Sequence, residues 1–120
     1  MLVYDAADSL IDGGADTDIL LIDEGSGNVL TLDASVTGIV NIERIDLGYL
    51  DGGRGITLTA AGIANASATD RLVITGDGED SVTLIGATYA GQTLVDGSAY
   101  AEYHLGSSIA VIETAITIIA

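Results

Sequence analysis

Cysteine, lysine, proline, phenylalanine and tryptophan are all missing from this chain of 120 residues. Without cysteine there is no disulfide framework, no thiolate nucleophile and no zinc–thiolate site. Without lysine there is no glycine-rich phosphate loop of the usual kind. Its cations are three scattered arginines, Arg44, Arg54 and Arg71, so the clustered positive charge that nucleic acid or an anionic membrane surface requires is not there. Without tryptophan or phenylalanine, an aromatic-lined pocket for glycoside chemistry has little to be built from. No uncharged stretch reaches the ~18 apolar residues of a membrane-spanning helix. The start, Met1-Leu-Val-Tyr-Asp5, has neither a basic nor an apolar signal region, so a cleavable leader is not expected at this end.

What the chain does have is acid and aliphatic bulk. Eighteen Asp and Glu residues give a formal charge of -15, yet the mean hydropathy is +0.50. Disorder needs low hydrophobicity as well as high charge, and this chain has only the charge. Its length fits one domain over 1–120 with a sizeable core. Isoleucine, valine and threonine are abundant, 16 glycines punctuate short apolar runs, and turn-forming clusters separate them. This is the pattern of many short strands. Strands are expected at 18–22, 28–32, 38–47, 55–59, 71–75, 81–85, 92–96, 99–105, 109–112 and 115–119, with one short helix over 60–66. Slim aliphatic side chains and glycine turns favour stacked parallel coils over a sandwich. The expected fold is therefore all-β: a parallel β-solenoid or β-roll-like part over about 1–86, then an antiparallel hairpin cap over about 87–120.

One stretch carries recognisable chemistry. Residues 11–20 read Ile-Asp-Gly-Gly-Ala-Asp-Thr-Asp-Ile-Leu. In the calcium-binding β-roll nonapeptide G-G-x-G-x-D-x-U-x, Gly13, Gly14, Asp18 and Leu20 fill positions one, two, six and eight. Asp16 stands where the third glycine is expected. The glycines permit a tight turn and expose carbonyls, Asp18 offers a hard oxygen, and Leu20 points inward. Calcium takes six to eight oxygens, so one turn supplies only part of a cage. Asp8 and Asp12 are further donors, although Asp8 lies ten residues before Asp18 where the repeat demands nine. The alternative is a plain turn with solvated aspartates.

A second candidate loop is Gly76-Asp-Gly-Glu-Asp80, with Asp77 and Asp80 as ligands; a solvated turn between strands is again the alternative. It lacks the ligand spacing of an EF-hand. Asp51-Gly-Gly-Arg-Gly55 resembles another β-roll turn, but Thr57 would fill its ligand position. His104 stands alone in Tyr-His-Leu within an expected strand, and there is no Gly-x-Ser-x-Gly elbow. It is expected to be a packing residue, and the protein is expected not to be an enzyme.

The motifs taken in order resemble the C-terminal region of very large bacterial surface adhesins of the RTX (haemolysin-type repeat) class. The resemblance covers roughly residues 2–119. It runs through Leu2–Asp8, Ile11–Leu20, Val40-Asn-Ile-Glu-Arg-Ile-Asp-Leu47, Ile56–Ala61, the block Asp70–Val82, a tyrosine-containing hairpin and a Val/Ile-rich end. Asp16 and the lack of tandem repeats depart from the family pattern. The resemblance implies a secreted, cell-surface, non-enzymatic module that binds Ca²⁺ and folds on doing so. It also implies a partner in type I secretion machinery, whose signal would lie in the aliphatic tail Ile109–Ile119; a last β-hairpin capping the fold is the other reading of that tail. Two alternatives stay open. One is the C-terminal targeting domain of a secreted lipase or protease; the other is a glycan-binding module using Tyr89, Tyr100 and Tyr103.

Overall fold

A computed structural model describes residues 2–3, 11–14, 18–21, 29–33, 35, 38–47, 55–67, 69–95 and 97–119. Short strands dominate it. They are β1 (Leu2–Val3), β2 (Ile11–Asp12), β3 (Ile19–Leu21), β4 (Val29–Leu32), β5 (Ile39–Val40), β6 (Arg44–Asp46) and β7 (Gly55–Leu58). After the single helix, α1 (Ala60–Ala66), come β8 (Arg71–Thr75), β9 (Ser81–Leu84), β10 (Thr88–Val95), β11 (Ser98–Leu105), β12 (Ser108–Glu113) and β13 (Thr117–Ile119). The protein is all-β with one short helix.

The chain alternates between two sheets. One has seven strands in the order β1-β3-β6-β8-β12-β11-β10; the other has four, β13-β9-β7-β4; and β2 pairs with β5 to one side. From β3 to β9, each strand of the larger sheet is followed by one of the smaller sheet, and every neighbour along both series is parallel. Register is kept across turns: Leu20 pairs with Ile45, Ile45 with Ile74, and Ile74 with Ile112. In the second sheet, Leu30 pairs with Ile56, Ile56 with Val82, and Val82 with Ile118.

This register explains the core. Parallel pairing repeats one side-chain orientation at each paired position, so like residues stack in columns. Leu20, Ile45, Ile74 and Ile112 line one sheet, and Leu32, Leu58, Leu84, Ile56 and Val82 the other; all are at most 2% exposed and form one cluster. Strands β7 and β9 alternate partly buried with buried, as one-sided strands should. Strand β8 is buried along four of its five residues, because Val73 on the outer face packs with Tyr100 and Val111.

Three expectations change. The segment 38–47 is two strands rather than one, because Asn41 turns the chain with φ of 57°. Ile11–Asp12, not expected as a strand, forms one that pairs with Ile39–Val40. The tail is not a hairpin of its own: β12 lies parallel to β8 in one sheet and β13 parallel to β9 in the other. The antiparallel part is the meander β10–β11–β12.

Candidate functional site

Between the β2–β5 pair and the large sheet the chain makes two corners, after β2 and after β5, and their described residues are hydrogen-bonded to one another. In the first, Asp12 ends β2, Gly14 adopts φ of 80°, and the described chain resumes at Asp18 before β3. In the next, Asn41 to Glu43 join β5 to β6. The Gly13 N–H donates to the Val40 carbonyl at 3.1 Å, and the Asp18 carbonyl accepts from the N–H groups of Glu43 and Arg44, both at 3.2 Å. Side chains add to this: Asn41 Nδ2 donates to Asp12 Oδ1 at 2.8 Å, and the Asp18 N–H donates to Glu43 Oε2 at 2.7 Å.

Gly13 is required here by space. A β-carbon on it would sit 2.2 Å from the Asn41 carbonyl oxygen and 2.7 Å from Asp18 Cβ. The bare backbone at Gly13 lets the Asp18 side chain and the next corner close together. Within that contact Asp18 Oδ2 is buried and accepts no hydrogen bond. A buried carboxylate oxygen without a hydrogen-bond donor is unfavourable unless a cation compensates it. Asp12 differs. It is exposed, and hydrogen bonds from the Asn41 side chain and then the Gly14 N–H hold its carboxyl below the ordinary carboxylate range.

The second loop is organised otherwise. Asp80, 2% exposed, accepts the Asp77 N–H on Oδ2 at 2.9 Å, while Asp77 Oδ1 accepts the Glu79 N–H at 3.0 Å. Gly76 lies so close that a β-carbon would be 2.6 Å from Asp80 Oδ2. Its N–H donates to Glu113 Oε1 at 3.0 Å, and the Asp80 carbonyl accepts from Thr117, fastening the loop to β12 and β13. Asp77 and Asp80 do come together, as a turn closed by its own backbone donors.

Of the expected metal ligands, the structure thus brings Asp12, Gly13, Gly14 and Asp18 to one corner and Asp77 and Asp80 to another. Asp8, Asp16 and the turn 51–54 lie outside the described residues. Among the described residues no three His, Cys, Asp or Glu side chains group as a metal site. Sequence reasoning missed Asn41 and Glu43, which stack on Asp12 and Asp18 from the following turn. Their signal was the register: Asn41 follows β5 as Gly13 follows β2. His104, expected to pack, is half exposed and lies 3.5 Å from Glu102.

Set against protein-family models, curated proteins and solved structures, the chain has no significant match in any of the three.

Proposed function

We propose that this chain is a calcium-stabilised parallel β-solenoid, a non-catalytic structural and export module from the C-terminal end of a secreted bacterial surface adhesin. The observation that carries the reading is the buried, unpartnered Asp18 Oδ2 at a corner where Gly13 leaves no side chain. The donor set suits a hard cation: carboxylates and backbone carbonyls, with no sulfur and no imidazole at the corner. Asp18 and Asp12 would hold the ion with the Gly13 and Gly14 carbonyls, and Asp8 and Asp16 would contribute from the residues just before and within the loop. Two columns of parallel strands in constant register support the solenoid.

The mechanism is electrostatic. A chain of formal charge -15 repels itself on compaction. Calcium supplies positive charge where carboxylates crowd. Asp18 and Glu43 belong to successive turns and meet through the Asp18 N–H, so compensation at Asp18 ties one turn to the next. Folding is then linked to ion concentration, loose where calcium is scarce and compact where it is plentiful. A chain kept loose inside the cell suits passage through a narrow export channel.

The test is native mass spectrometry at millimolar calcium. At least one bound ion is expected in the wild type and one fewer in Asp18→Ala. Equal ion counts in both would remove Asp18 from the proposal, and no bound ion in either would end it.

A further inference from the structure

The two sheets end out of step. The seven-stranded sheet runs two strands beyond β12, through β11 to β10, whereas the four-stranded sheet stops at β13, the partner of β9. On β12, Ala110 and Ile112 face the core. Ala110 pairs with Tyr103 and Ile112 with Ala101, and β10 continues the rows with Tyr89 opposite Tyr103 and Leu94 opposite Ala99. Directly paired residues share a face. The core-facing side of the large sheet therefore extends over Tyr89, Gln92, Leu94, Ala99, Ala101 and Tyr103, and no described strand lies opposite it. Tyr103 packs against the edge of the core and meets Tyr89 edge to face at 5.5 Å; beyond them Tyr89 is 57% and Leu94 72% exposed.

This ledge has no charge. Residues 88–95 and 117–119 contain no ionisable group except Tyr89, and Glu102 and His104 alternate onto the opposite face of β11. Both bordering strands, β10 and β13, are outermost in their sheets. Edge strands are ordinarily protected by charge, proline or bulges. Strand β10 has only the irregularity between Tyr89 and Gly91, which leaves residues 92–95 regular.

We propose that the ledge is a self-association surface on which a second copy of the chain docks about a two-fold axis parallel to the strands. The occupant follows from the shape. Rotation about that axis exchanges the layers, so the two-strand overhang of one copy fills the two-strand gap of the other. The β10–β11 faces then lie against each other, and the edge of each β10 meets β13 of the second copy. The contact is isologous and closes at two. It also suits the charge: on a chain of formal charge -15, an uncharged ledge lets two copies meet without bringing like charges together. Two eight-residue strands present a face of about 26 by 10 Å. The two faces together cover about 500 Å² and the two edge contacts add to it, so the joint falls in the small, transient class of interface and a weak dimer, in the micromolar range, is expected. The inference does not depend on a bound ion.

The experiment is sedimentation of the full chain from about 1 to 200 µM, a range that brackets a micromolar dimer. Monomers at the low end and dimers, with nothing larger, at the high end are expected. Leu94→Glu should weaken the dimer at least tenfold, while Ile85→Glu, which alters another exposed aliphatic residue (54%) in the turn after β9, should not. Circular dichroism checks that both variants keep the fold. Because the chain has no cysteine, Gln92→Cys combined with Thr117→Cys should yield a disulfide-linked dimer on oxidation. Monomers throughout, growth beyond dimers, or a dimer indifferent to Leu94→Glu would overturn the proposal.

Discussion

Gly62 lies inside α1, where alanine would ordinarily be preferred by about 1 kcal/mol. Its surroundings reverse that preference. A β-carbon there would be 2.0 Å from the Leu32 carbonyl oxygen and 2.3 Å from its carbon, and a backbone cannot swing aside as a side chain can. Gly62→Ala is expected to destabilise the fold by about 1–3 kcal/mol, the usual range for overpacking. A denaturation midpoint that stayed level or rose would mean that α1 does not press on β4. Asp12 makes a prediction in pH. Its carboxyl is held below its ordinary value by the Asn41 side chain and then by the Gly14 N–H. A depressed carboxylate contributes stability that is present above its unfolded value of about 3.9 and is lost as pH falls through the folded one. The melting temperature of Asp12→Ala should therefore lie below that of the wild type at neutral pH, with the gap closing below about pH 4. A gap that persisted or widened in acid would contradict the Asn41–Asp12 contact.

At the scale of elements, some parts were legible in the sequence because local chemistry alone decides them. Helix α1 falls where expected, since Thr59 caps it: its Oγ1 accepts the Gly62 N–H at 3.0 Å and donates to the Leu32 carbonyl at 3.2 Å. Thr59→Ala should lower stability by about 1 kcal/mol, measured by urea titration, through loss of both bonds. No change would show the cap to be solvent-satisfied. Strands β7, β8 and β9 were legible as aliphatic runs between glycine and aspartate clusters. The corner at Asn41 was not, because Val40-Asn-Ile-Glu-Arg44 carries no glycine or proline where the chain turns; asparagine tolerates the left-handed conformation without announcing it. Strand β2 was hidden for a different reason. Two residues carry no periodicity, and only pairing with β5, far along the chain, makes Ile11–Asp12 a strand. The candidate site was half legible for that reason too: the Gly13–Asp18 turn can be read locally, whereas Asn41 and Glu43 reach it only through register.

For the whole molecule, sequence and structure agree on how a chain without cysteine, and with 18 acidic residues to three arginines, still builds a core. Aliphatic columns in parallel register bury Leu20, Ile45, Ile74 and Ile112 against Leu32, Leu58 and Leu84, and among the described residues Asp18, Asp33, Glu43, Asp70, Asp77, Glu79 and Asp80 lie outside the strands. Removing residues 96–120 would take β12 from beside β8 and β13 from beside β9, so an export assay on that deletion measures folding as well as signalling. The central claim is that an ion at the Asp18 corner stabilises the stacked turns, and thermal unfolding of the 120-residue chain in EDTA and in calcium tests it most directly. With an affinity of about 10⁻⁴–10⁻³ M, a hundredfold excess of calcium over that value should stabilise the fold by about 2.7 kcal/mol. For a chain of this length that raises the melting temperature by about 10 °C. Asp18→Ala should lose most of the rise, whereas Glu79→Ala, exposed in the other loop, should keep it. Identical melts with EDTA and with calcium would contradict the account.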